Sequence, residues 1–141
     1  MKKPGTRREA REATIQFLFS HDLNDDTLPD QCDHFWELRT ARPKVRDFAK
    51  QLIAGIFEHK EQIDQTIEDA SENYSLTQLT AVDRCLLRLA TYEILFRDDI
   101  PAAVTINEAI EIAKRFGSTE SAGFVNGVID RIEKEPRSNH P

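Results

Sequence analysis

Apolar residues recur along most of this chain at intervals of three and four, the spacing that places them on one face of an α-helix. No stretch alternates apolar and polar residues as a half-buried strand would. The most regular series predicts a helix over 44–59 and consists of Val45, Phe48, Ala49, Leu52 and Ile56. Similar stripes predict further helices over 6–20, 31–38, 61–71, 102–116 and 119–134.

The segment 81–97 has a different pattern, because its apolar residues surround most of the helix circumference. A helix that is apolar nearly all round is buried on all sides. We therefore place 81–97 at the centre of a packed bundle and predict an all-α fold of about seven helices. We expect a single domain over 1–141, in which 1–5 and 136–141 are flexible.

Charge is distributed unevenly along the chain. The formal net charge of the 141 residues is −6, yet residues 1–11 carry +4, so the remaining 130 residues carry −10. This asymmetry predicts a small basic surface for a polyanion and an acidic surface that suits a basic partner. No apolar run approaches the roughly 20 residues of a membrane span, so we expect no membrane association. Cys32 and Cys85 lack disulfide or zinc-site spacing, which favours a cytoplasmic protein with reduced thiols.

Three arginines fall in the first two turns of the first helix. Arg7, Arg11 and Arg8 lie at about 0°, 40° and 100° on a helical wheel, and Phe19 continues the same side of the helix. Guanidinium groups bind phosphates and aromatic rings stack on unpaired bases, so this pattern is typical of a platform for single-stranded RNA. The alternative interpretation is a solvated basic terminus, whose cations oppose the helix dipole.

No constellation of catalytic or metal-binding side chains is visible in the sequence. The four histidines have neither the spacing of metal ligands nor a partnered nucleophile. Phosphate-binding loops and dinucleotide-binding fingerprints are also missing. We therefore predict a protein that is not an enzyme and that has no catalytic residue, metal or cofactor.

Longer motifs carry a resemblance to a known family. The stretch "INEAIEIAKRFG", followed by "FVNGV" and preceded by "DRCLLRLATYEIL" and "RREAREATIQFLFS", closely resembles the NusB family of bacterial transcription antitermination factors. The resemblance implies two packed three-helix subdomains with the central helix near 81–97. It also implies binding to the boxA element of ribosomal RNA leader transcripts together with the ribosomal protein NusE. NusA, NusG and RNA polymerase are the further partners that it implies.

The same resemblance implies which residues bind each partner. Glu9 stands within the basic cluster and Phe19 stands where a tyrosine is frequent, so we expect weaker RNA binding alone and greater reliance on the partner. The implied protein-partner residues are Asp64, Glu68 and Asp83. The implied RNA-binding residues are Lys2, Lys3, Arg7, Arg8, Arg11, Phe19, Arg88, Gly123 and Phe124.

Several of these residues also have a structural interpretation. Phe124 lies at the edge of an apolar stripe and suits a core position, and Arg88 suits an ion pair with a carboxylate of another helix. For the whole chain, the alternatives are a protein-binding helical adaptor without specific RNA recognition and a regulatory domain of an RNA-modifying enzyme. The pattern leaves open whether the free protein is a monomer or a homodimer.

Overall fold

A computed structural model describes residues 5–20, 33–37, 39, 41–72 and 74–134. All regular structure within these residues is helical, which confirms the all-α prediction. A short 3-10 turn, Leu76–Gln78, precedes the fifth helix. The helices are α1 (Thr6–Ser20), α2 (33–37), α3 (Pro43–Glu58), α4 (Lys60–Ala70), α5 (Ala81–Phe96), α6 (Ala102–Phe116) and α7 (Thr119–Lys134). Residues 135–141 lie outside the described residues. So do residues 1–4, which include Lys2 and Lys3 of the predicted RNA surface.

Local sequence signals explain several of the helix ends. The Thr80 side chain accepts a hydrogen bond from the Asp83 backbone nitrogen at 3.1 Å and so caps α5. Pro43 occupies the first turn of α3, where its missing N–H is no loss. Gly117 ends α6 in an extended conformation, and a Cβ there would lie 2.7 Å from the Ser121 side chain. Close approach, rather than a left-handed turn, therefore requires this glycine.

Helix α5 is the centre of the fold, as its apolar circumference predicted. It packs against α1, α3, α4, α6 and α7. Helices α1 and α3 pack together, and so do α6 and α7. The buried apolar side chains of these helices form one continuous cluster. In the part of the chain that the structure describes, no helix is long and apolar enough to cross a membrane.

Helix α1 is buried more deeply than its charge suggests. Residues 10–15 are all buried, together with Phe17 and Leu18. Two of these buried residues, Arg11 and Glu12, are charged. A charged group in a protein interior requires a partner, so the neighbours of α1 determine what its arginines can do.

Candidate nucleic-acid interface

The three arginines of α1 point toward three different helices. Arg7 is exposed, and its guanidinium carbon lies 4.6 Å from the centre of the Phe48 ring on α3. This distance is within the range of a cation–π contact, which orients the side chain without neutralising its charge. Arg7 is thus the most solvent-accessible arginine of the predicted cluster.

Arg8 points toward α6 and forms a two-pronged ion pair with Glu108. Its Nε donates to Oε1 at 2.7 Å and its Nη2 donates to Oε2 at 2.5 Å. The Arg8 side chain is 30% exposed and that of Glu108 is 15% exposed. The hydrogen bonds to Glu108 raise the pKa of Arg8, and the same bonds lower the pKa of Glu108. Nothing in the local sequence predicts that Glu108 pairs with α1, because capping of α6 explains its position equally well.

Arg11 lies inside the protein, and this corrects its assignment to the RNA surface. Its Nε and Nη2 donate to the two carboxylate oxygens of Glu93 on α5, at 2.7 and 2.9 Å. Thr105 donates a further hydrogen bond to Glu93 at 2.8 Å. Only 3% of the Arg11 side chain is exposed, so it offers no group to a transcript. A helical wheel contains the signal for this, because Arg11 falls between Leu18 and Ile15, both of which are buried.

An aromatic groove follows the arginines along α1. Phe19 is 60% exposed and lines a groove with Phe116 of α6, which is 36% exposed. The floor of the groove includes Ile15 and Val82. Arg115 places its guanidinium carbon 5.1 Å from the centre of the Phe116 ring. Neither Arg115 nor Phe116 was predicted, since nothing in the local pattern of α6 shows that its end meets α1.

Side-chain contacts connect α1 to α6 in a fixed order. Arg8 meets Glu108, then Glu12 accepts hydrogen bonds from Arg115 at 3.0 Å, and Phe19 shares its groove with Phe116. The order rises along both helices, so the contacts follow one line. We call this line the α1–α6 edge and define it by Arg8, Glu12, Phe19, Glu108, Arg115 and Phe116. At 1.5 Å per residue it extends about 17 Å along α1, enough for a few nucleotides.

Phe124 and Gly123 lie on α7. Phe124 is partly buried, and its ring meets that of Tyr74 edge to face with centroids 6.1 Å apart. Gly123 is exposed, and a Cβ at this position would meet no atom within 4 Å. Phe124 therefore has both a packed edge and solvent access, and Gly123 leaves open space beside it.

Arg88 and Asp64, which were assigned to different partners, bind each other. Arg88 Nε and Nη2 donate to the two oxygens of Asp64 at 2.8 and 3.1 Å, and the pair joins α5 to α4. Asp83 is buried, and its Oδ1 accepts no hydrogen bond from the described residues. Glu68 is exposed. Only Glu68 of the three predicted partner-binding acids thus presents an exposed carboxylate.

Comparison with known proteins decides the family. A model of the NusB family matches residues 8–134. The chain belongs to the NusB family. The transcription antitermination protein NusB of Trichlorobacter lovleyi is 44% identical over 133 residues, which cover 94% of each chain. NusB of Desulfitobacterium hafniense strain DCB-2 is 49% identical over 129 residues, or 90% of this chain and 87% of the relative.

Solved NusB structures have the same fold. T. maritima NusB superposes with a TM-score of 0.81 at 43% identity, covering all of this chain and 96% of the other. A crystal structure of the antitermination factors NusB and NusE in complex with double-stranded RNA gives a TM-score of 0.82 at 25% identity. That comparison covers 93% of this chain and 98% of the other. The NusB family consists of transcription antitermination factors and is not enzymatic. Among the described residues, no group of three or more histidine, cysteine or acidic side chains is placed to hold a metal.

Proposed function

We propose that this NusB-family protein binds the boxA element of ribosomal RNA leader transcripts together with NusE, and so couples the transcript to RNA polymerase. The observation that carries the proposal is the similarity to a NusB that was crystallised with NusE and RNA. The exposed cation and rings along α1 and α6 supply suitable chemistry for such binding. NusA, NusG and RNA polymerase complete the proposed assembly.

The α1–α6 edge is the proposed RNA path. Arg7, in the first turn of α1 on the side that meets α3, supplies a solvent-accessible positive charge for a phosphate. Phe19 and Phe116 offer ring faces on which unpaired bases stack, and Arg115 adds a charge at the rim of their groove. The burial of Arg11 leaves fewer phosphate contacts than three free arginines would make, which increases the contribution of stacking.

The remaining predicted RNA contacts lie outside the α1–α6 edge and stay proposals. Phe124 supplies a further ring, and Gly123 leaves room for a nucleotide to approach it. Lys2 and Lys3 lie outside the described residues and are proposed RNA contacts on the ground of their positive charge. Arg88 contributes chiefly by holding Asp64 between α4 and α5, because both prongs of its guanidinium are occupied.

A basic NusE surface is the proposed partner for the acidic part of the molecule. Glu68 is the exposed acid of α4, while Asp64 is shared with Arg88 and Asp83 is buried at the start of α5. Opposite charges on two surfaces accelerate their encounter and select the partner. Glu68→Lys is therefore expected to slow NusE association, whereas Glu133→Lys, at an exposed position of α7, serves as the matched control.

Titration of fluorescent RNA with the full chain tests the RNA proposal. The RNAs are a boxA strand, a scrambled strand of equal length and a boxA duplex, each with and without NusE. We expect the boxA strand to bind most tightly and NusE to tighten it further, because two modest contacts on one RNA raise the effective affinity. Phe19→Ala is expected to weaken binding by about tenfold through lost stacking. Lys134→Ala, which removes a charge from the end of α7, is the control.

Each other outcome selects a different function. Equal affinity for the scrambled strand would identify a nonspecific polyanion binder. NusE binding without any RNA binding would identify the protein-binding adaptor, and a co-purifying catalytic subunit would support the regulatory domain of an RNA-modifying enzyme. Light scattering of the free protein, before and after RNA is added, tests whether a homodimer forms through the RNA path and dissociates on binding.

A further inference from the structure

Arg8 has an internal partner at the site where RNA is proposed to bind. Its Nε and Nη2, which form one side of the guanidinium fork, both donate to Glu108. A phosphate binds arginine most strongly through the same two-pronged arrangement. A phosphate that approaches the Nε–Nη2 side of Arg8 therefore requires the donors that Glu108 occupies.

We propose that Glu108 sets the RNA affinity of this protein by competing with a backbone phosphate for the guanidinium of Arg8. This inference rests on the proposed function, because it assumes that the transcript lies along the α1–α6 edge. In the free protein Glu108 holds Arg8 against α6. RNA binding transfers the fork of Arg8 from the carboxylate to the phosphate.

The surroundings of Glu108 permit this exchange. Glu108 Oε1 also lies 3.5 Å from Nη1 of Arg11, so the carboxylate keeps a cationic neighbour when Arg8 leaves. Arg8 is in the first turn of α1 and is partly exposed, so its fork can turn toward solvent without unfolding the helix. The raised pKa of Arg8 and the lowered pKa of Glu108 are consistent with a pair that is charged on both sides.

The neighbouring Arg11–Glu93 pair, unlike the Arg8–Glu108 pair, is too buried to exchange its partner for RNA. Both side chains are almost completely buried, and Thr105 adds a hydrogen bond to the carboxylate. Separating that pair would leave a buried charge without a partner. The two pairs thus differ in their capacity for exchange, although both join an arginine of α1 to a glutamate.

Glu108→Gln is the direct test, performed on the full chain with NusE and the boxA strand. The substitution keeps the shape of the side chain but removes the charge that holds Arg8. We expect RNA to bind about fivefold more tightly, the factor that corresponds to a partly exposed ion pair. Glu111→Gln is the matched control, because Glu111 lies one turn along α6, pairs with Lys114 and acts on Arg8 only through its charge. It should change affinity less than twofold.

Arg8→Ala separates competition from a general effect of charge. We expect Arg8→Ala to weaken RNA binding and to abolish the gain from Glu108→Gln when the two are combined. A gain that persists without Arg8 would overturn the proposal, as would weaker binding by Glu108→Gln alone. If the unsubstituted chain does not bind boxA RNA in the presence of NusE, the proposed function itself is refuted.

A measurement on the unsubstituted protein removes any dependence on variant stability. The side-chain Nε–H resonances of Arg8 and Arg11 report their hydrogen-bond partners in solution. RNA should shift the Arg8 resonance, whereas the Arg11 resonance should stay in place. An Arg8 resonance that does not respond to saturating boxA RNA would show that Glu108 never releases it, and the proposal would fail.

Discussion

Arg11 occupies an interior position because its charge and its donors are both satisfied. Glu93 accepts from two of its nitrogens, and Thr105 helps to fix the carboxylate. A buried charge is tolerated under these conditions, but removal of one partner leaves the other without compensation. The role of Arg11 is therefore to join α1 to α5.

Arg11→Ala is expected to lower the free energy of unfolding by about 3–5 kcal/mol, because it leaves Glu93 buried and unpaired. Urea denaturation followed by circular dichroism measures this loss. Arg7→Ala is the control, since that side chain is exposed, and it should change the free energy by less than about 1 kcal/mol. Similar losses for the two variants would contradict the division between an internal and an external arginine.

Cys85 reports whether α5 stays closed to solvent. Burial raises the pKa of its thiol to about 11, so at about pH 8 the reactive thiolate is scarce. In a Cys32→Ser background, Ellman's reagent should modify native Cys85 at least roughly a hundredfold more slowly than the urea-unfolded chain. Comparable rates in the two states would show that α5 opens readily to solvent.

Two glycines show how the packing of a helix decides the effect of one added methyl group. Gly55 of α3 faces α5, and a Cβ there would lie 2.1 Å from Cζ of Tyr92. Gly127 of α7 has no atom within 4 Å of its Cβ position and does not have a positive φ. Helix propensity favours alanine at both positions, whereas packing excludes it only at Gly55.

Opposite changes in stability are therefore expected for the two alanine substitutions. Gly55→Ala should lower the free energy of unfolding by about 1–3 kcal/mol through overpacking. Gly127→Ala should raise it by about 0.5–1 kcal/mol through helix propensity. Thermal and urea unfolding measure both changes. Gly55→Ala should be less harmful in a Tyr92→Leu background, and an equal loss there would refute the proposed contact.

The charge of the whole molecule limits how it can hold a polyanion. Its net charge is −6, and two arginines of the α1–α6 edge, Arg8 and Arg115, are paired with Glu108 and Glu12. Each phosphate neutralised by a free cation makes the affinity more dependent on salt. Few such contacts are available, so stacking and NusE have to provide much of the affinity.

The salt dependence of boxA binding tests this picture. The logarithm of the binding constant should fall with the logarithm of salt concentration, and Arg7→Ala should reduce the slope by about 0.7, the value of one phosphate contact on a single strand. Fluorescence titrations at several salt concentrations measure the slope. Phe19→Ala should weaken binding without changing the slope, and equal slope changes for both variants would argue against separate charge and stacking roles.

The fold of this protein is more predictable from its sequence than its candidate RNA site is. The helices and the central position of α5 follow from periodicity, because burial on one face or on all faces leaves a repeating local pattern. A shared RNA-facing orientation of the three α1 arginines is less predictable from sequence than the helices are. Arg7, Arg8 and Arg11 are adjacent on one helix, but α3, α6 and α5 receive them separately. Phe116 was missed because its neighbour Phe19 is distant in sequence.

The helices, the burial of α5 and the membership of the NusB family are all predictable from the amino-acid sequence, since they depend on local spacing and on motifs in a defined order. Which arginines are exposed and which are paired depends on the packing of the helices. Arg8 meets Glu108 across 100 positions of the chain and Arg11 meets Glu93 across 82. An ion pair depends on distances between helices, and those distances are set by packing rather than by any one helix.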